Sequence, residues 1–207
     1  ISYAVSHGAD AARVSLSKSV MDGYTFLNGE LDKVTHSADR SIYLYIFADN
    51  RYGTFSTNRL EKNELEDFIQ RAIEMVRMLG EDECRKLPSP ERTAKDAVTG
   101  LELQLYDAAY EQMDADTRIA NAFRLSRYDE IKATENSYRL ISEECEYSCT
   151  SDDSYTADSQ GFEGRHRETT FGTFSEMTIE DRDGNKYSGY WWQTSPRMAD
   201  TDFDECG

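Results

Sequence analysis

The residues best suited to chemistry are the histidines, cysteines and paired carboxylates, and their spacing excludes more than it offers. His7, His36 and His166 are each followed by a residue other than Glu, so the chain holds no His-Glu zincin helix. It also has no G-x-S-x-G elbow, no G-K-[ST] phosphate loop and no G-x-G-x-x-G turn, which removes the commonest hydrolase, nucleotide and dinucleotide chemistries. Cys145 and Cys149 lie four residues apart, and on a strand that step separates their Cα atoms by roughly 13 Å, too far to share an ion. Together with Cys84 and Cys206 they read as isolated reduced thiols. Asp200, Asp202 and Asp204 have the alternate spacing that opens a calcium loop, but Glu205 stands where that loop needs Gly, so they read as a solvated acidic end. Glu143-Glu144 and Asp152-Asp153 are sequence neighbours, whose side chains point to opposite faces of a strand. No catalytic residue, metal ligand or cofactor is assigned to this chain.

One stretch is different. Tyr155 to Gly164 places Gly161 and Gly164 around Phe162 and Glu163, directly after a polar strand, Ser154 to Ser159. It reads either as a tight loop whose glycines supply positive φ, or as a substrate-facing loop. On the second reading the candidate contacts are Asp158, Ser159, Gly161, Phe162 and Glu163, with the polar strand offered as an edge for main-chain pairing to a peptide. Tyr190-Trp191-Trp192 is a second conspicuous cluster, suited to a core or to an interface.

The elements that must position these residues follow from periodicity. Ile1, Tyr3 and Ala4 before His7-Gly8 read as the closing turns of a helix with a C′ glycine, whose start precedes Ile1, so the chain reads as a portion of a longer one. Ala12, Val14 and Leu16, then Tyr24 and Phe26, predict a strand leading to a hairpin turn at Asn28-Gly29. Ser41 to Ala48 is apolar on both faces, which predicts a central strand covered on one side by a helix and on the other by a second domain or subunit; Tyr43, Tyr45 and Phe47 are the candidate interface residues. Leu65, Phe68, Ile69, Ala72, Ile73, Val76 and Leu79 predict that helix, with Asn63 and Glu66 as a capping box. Residues 81–113 read as a weakly packed linker carrying Pro88 and Pro90. A second helix is predicted from about Asp116, capped by Asp114 or Asp116. Antiparallel strands follow from about Tyr138 to Gln193, with turns at Ser151-Asp152-Asp153 and Asp183-Gly184-Asn185, and Pro196 to Gly207 reads as exposed. The fold class is α+β: an antiparallel or mixed sheet with a packed helix, then a second helix and an antiparallel β region. The division is 1–80, a linker at 81–113, and 114–207.

Composition bounds the partners. Asp and Glu number 40 against 23 Lys and Arg, a formal charge of −17, and such a field repels phosphate backbones and anionic membrane surfaces. No apolar run reaches the ~20 residues that span a bilayer, and Ile1 to Ser6 lacks the basic and apolar regions of a signal peptide. The chain reads as cytoplasmic, without direct nucleic-acid or membrane binding.

Three segments in register, Gly8 to Val14, Asp49 to Asn58 and Asp158 to Gly164, resemble TldD/PmbA proteins. The resemblance implies the N-terminal portion of a two-subunit peptidase family, also called modulators of DNA gyrase, in which one branch carries a zinc helix in a C-terminal domain. It implies a homo- or heterodimer with a family subunit, an unfolded peptide as substrate, zinc confined to that C-terminal domain, and a role for this chain in a peptide-admitting chamber or subunit interface. The alternative is a stand-alone protein- or peptide-binding module without enzymatic activity.

Overall fold

The computed structural model describes residues 1–133 and 137–207. In chain order the elements are α1 (Ser2–Ser6), β1 (Ala11–Leu27), β2 (Glu30–Ala48), β3 (Arg51–Thr57), α2 (Lys62–Arg77), α3 (Ala109–Gln112), α4 (Ala115–Phe123), α5 (Tyr128–Ala133), β4 (Arg139–Asp158), β5 (Glu163–Glu180), β6 (Lys186–Ser195) and α6 (Phe203–Cys206). The strands form a six-stranded sheet in the order β3-β2-β1-β4-β5-β6, which with its helices makes the predicted α+β class. The chain divides into two compact units, one of Ile1–Ser19, Asp39–Leu103 and Asp152–Arg167, the other of Val20–Ala38, Gln104–Ser151 and Glu168–Gly207. β1, β2, β4 and β5 each run 17 residues or more and have residues in both.

In the first unit, Leu44, Ile46 and Ala48 alternate onto the core face of β2 and meet Ala72, Ile73 and Val76 of α2, with Ala4, Ala9 and Ala12 completing the cluster. The small alanines let backbones approach closely, and Gly53 of β3 does the same for α2: a Cβ there would lie 2.8 Å from Val76 Cγ2. Asp49 and Asn50 both adopt left-handed φ, 52° and 55°, and turn β2 into β3 with Phe47 opposite Tyr52. α2 begins at Lys62 with Glu61 at the N-cap and no side-chain cap bond, so the expected Asn63-Glu66 box does not form; Asn63 already lies inside the helix. At the other end Arg77 donates to the Gly8 carbonyl at 2.9 Å and pairs with Asp49, joining α2 to the close of α1, where Gly8 has φ +104°. The linker expected to pack weakly is tied down in part: the Leu87 side chain is buried, and the Arg165 and Arg167 amides donate to the Ala97 and Gly100 carbonyls.

In the second unit, Asn28 and Gly29 make the expected hairpin turn with φ of 53° and 80°, and Asn28 Oδ1 accepts the Glu143 amide. The core comprises Tyr24, Phe26, Leu125, Cys145, Tyr147 and Phe171 among others. α4 is capped as expected, Asp114 accepting the Thr117 amide at 2.8 Å. Phe203 and Cys206 of α6 are buried, which corrects the expectation of an exposed end. Asp202 caps that short helix by accepting the Asp204 and Glu205 amides, while the Asp204 carboxylate pairs with Arg127 at 3.4 Å. β5 and β6 pair antiparallel around the Asp183-Gly184-Asn185 turn, and β6 ends the strand order with Tyr187, Tyr190, Trp191 and Trp192 all exposed, which excludes a core role for that cluster. Ser151-Asp152-Asp153 is not a turn; it lies within β4.

Candidate functional site: the turn between β4 and β5

The segment singled out in the sequence forms the turn from β4 into β5, and its geometry is set by one carboxylate. Asp158 Oδ1 accepts the amides of Gln160 (2.9 Å) and Phe162 (3.2 Å), while Oδ2 accepts Arg13 Nη2 at 2.9 Å. The Asp158 amide donates to the Phe162 carbonyl, and Gly161, at φ +89°, returns its amide to the Asp158 carbonyl. The glycine is needed here because an L side chain rarely adopts that backbone. Ser159 is fixed to β1 at two points: its amide donates to the Ala12 carbonyl and its hydroxyl accepts the Ala12 amide. The Arg13 guanidinium lies over the Phe162 ring at 5.5 Å, and the ring in turn crowds Gly164, where a Cβ would sit 2.7 Å from Phe162 Cζ.

Burial by itself would raise the Asp158 pKa, but the Arg13 pair and the Phe162 and Gln160 amides outweigh it, and the carboxyl is held below its ordinary value. Glu163 takes a hydrogen bond from Tyr155 that raises the tyrosine pKa. Beside the turn is a cleft of about 380 Å³, with Gln160, Gly161, Phe162 and Glu163 on one wall and Pro88, Pro90 and Lys95 on the other. Lys95 hydrogen-bonds the Pro90 carbonyl and holds the second wall in place. Of the five sequence candidates, Asp158 faces inward as the organiser of the turn, Phe162 is half-buried, and Ser159, Gly161 and Glu163 are exposed. The strand Ser154 to Ser159 is not an edge, since β4 lies between β1 and β5. At β2, Tyr43 is exposed, and Tyr45 and Phe47 are half-buried on the face opposite the core. Arg13 was missed: it is 145 residues from Asp158, and no local pattern marks it.

A zinc site does not fit the described residues. Among the described residues no three His, Cys, Asp or Glu side chains gather to hold a metal ion. His36 bonds Asp22 at 2.7 Å, and His7 stacks on Tyr3. Burial pushes the Cys145 thiol up to about 12 and Cys149 to about 11, so neither offers a thiolate at neutral pH.

The hairpin strands β1 to β3 with the helix α2 packed on them define the first domain of a metallopeptidase family: residues 12–76 match the family model described as PmbA/TldA metallopeptidase domain 1. The chain belongs to the TldD/PmbA family. It is similar to a crystal structure from Bacteroides thetaiotaomicron, described as a modulator of DNA gyrase, with 31% identity and a TM-score of 0.87, over 99% of this chain and 45% of that one. The fold is also shared with a protein of the same description from Thermotoga maritima (17% identity, TM-score 0.67, 95% of this chain and 42% of that one). TldE from Thermococcus kodakarensis shares it too (13%, TM-score 0.64, 99% and 42%). The chain spans less than half the length of each. No curated protein matches the sequence. Among the described residues no helix is long and apolar enough to cross a membrane.

Proposed function

We propose that this chain is the non-catalytic N-terminal portion of a cytoplasmic TldD/PmbA-type peptidase subunit, and that it handles unfolded peptide at the cleft beside the β4–β5 turn. The observation that carries the reading is the turn itself, in which Asp158 and Arg13 fix the backbone while Gly161, Phe162 and Glu163 remain available beside an open cleft. Preorganised backbone on a rigid sheet lowers the ordering cost of binding. Zinc and the hydrolytic chemistry belong to the family's C-terminal domain. The exposed Tyr43 with Tyr45 and Phe47 is the contact for a like or related subunit.

The test is Phe162→Ala in the complete polypeptide with its partner subunit, measuring peptide turnover and unfolding stability together. The reading expects reduced turnover with a melting temperature changed by a few degrees at most. A stability loss near the ~3–5 kcal/mol of a truncated buried Phe would make the ring a core residue instead. Peptide binding with no turnover in the complete complex would favour a stand-alone binding module.

A further inference from the structure

A second cavity in the first unit, separate from the cleft at the turn, has a different chemistry. It measures about 530 Å³, within the range of small-ligand sites. Its apolar wall is Leu16, Leu60 and Val98, with relative exposures of 42%, 43% and 73%, together with the ring of Tyr155. Its charged lining is Lys18, Arg40 and Arg165 against the single carboxylate of Asp153. That carboxylate is already engaged: Arg165 binds it through Nε at 2.9 Å and Nη2 at 2.5 Å, and Arg167 approaches it at 3.8 Å. The Arg165 hydrogen bonds hold the Asp153 pKa below its ordinary value, so it stays ionised and committed.

Such a pocket is anomalous on a chain of net charge −17. Evenly spread carboxylates would leave any cavity neutral or negative, whereas here the cations outnumber the acid and stand beside exposed leucine and valine. The ligand that satisfies both halves carries one anionic group and one apolar group a few ångströms apart. Charge complementarity selects the anion, and the aliphatic wall excludes a bare inorganic ion as the best-fitting occupant.

We propose that this pocket binds the C-terminal end of a peptide, Lys18 and Arg40 receiving the terminal carboxylate and Leu16, Leu60 and Val98 the apolar last side chain. The proposal rests on the peptide-handling reading above, but it concerns a different cavity and residues. Arg165 is the positioning residue: paired with Asp153, it walls the pocket without competing for the ligand.

The test is calorimetric titration of the complete polypeptide with N-acetyl-Gly-Gly-Leu, its C-terminal amide, and acetate. The expected result is saturable binding of the free acid, with the amide and acetate each weaker by about tenfold or more, the cost of losing a charge-assisted hydrogen bond or the apolar contact. Lys18→Ala with Arg40→Ala should abolish the preference for acid over amide. Both residues are exposed, so the double variant keeps its fold, checked by an unchanged melting temperature. Equal binding of acid and amide, no binding of the acid, or a preference retained by the double variant overturns the proposal. Acetate binding as tightly as the tripeptide overturns it in favour of a generic anion site. None of these outcomes bears on the Phe162 reading, which is judged by turnover.

Discussion

At the scale of single residues, Asp158 illustrates how a side chain can belong to a candidate site without being offered to a ligand. Its carboxylate is 1% exposed and receives Arg13 and two amides, so its work is to hold the turn. Replacing it with Ala would leave the Arg13 guanidinium half-buried without its anion, and the expected loss at pH 7 is about 3 kcal/mol, as for other broken buried pairs. The pH dependence follows from the lowered pKa. A carboxyl depressed in the folded state stabilises fully above its unfolded value of about 3.9, and that contribution disappears as pH falls through the lower folded value. Urea unfolding of the parent chain and the Asp158→Ala variant should therefore differ most at neutral pH, with the gap narrowing as pH falls below the unfolded carboxyl value of about 3.9. A gap that stays constant down to acid pH would mean that packing, not charge, sets the effect.

At the scale of elements, the pieces with strong local signals were legible in the sequence. The Asn28-Gly29 and Asp183-Gly184-Asn185 turns, the α2 stripe as far as Val76 and the Asp114 cap formed as their residue types dictate, whereas Leu79 falls beyond the helix and is exposed. Elements whose stability comes from distant partners were not legible. Ser151-Asp152-Asp153 has turn-forming residues, yet Asp153 is neutralised across the sheet by Arg165, which keeps the segment in β4. Residues 97–100 carry no periodicity, but their carbonyls accept amides from β5. In the last residues, Phe203 and Cys206 are too few to make a pattern, and only the core they fill reveals their role. The candidate site divides in the same way: the glycine-bearing turn was visible, and the arginine that pins it was not. Gly53 gives an element-scale test. A methyl group there would press on Val76 and on the Phe55 ring at 2.9 Å, so Gly53→Ala should loosen α2 from β3 and cost about 1–3 kcal/mol in chemical denaturation. A neutral or stabilising result would show that α2 shifts to accommodate it at little cost.

For the whole molecule, charge sets the terms on which it meets partners. At −17 the chain has no excess of cations with which to displace the counterions of a duplex, although two of its structural relatives are described as modulators of DNA gyrase. Gel-shift titration of the chain with linear duplex DNA at about 0.15 M salt should give no complex, the screening length there being about 8 Å. A complex that weakens as salt rises would require a basic surface stronger than the one pocket described here. Both tryptophans of the chain, Trp191 and Trp192, are neighbours on the exposed terminal strand β6, with relative exposures of 54% and 60%. The two cores contain no indole, so tryptophan emission from this protein reports almost nothing of their integrity. Its wavelength is governed instead by the wetness of a single strand, and a blue shift on mixing would record, without any added dye, the arrival of whatever comes to rest there.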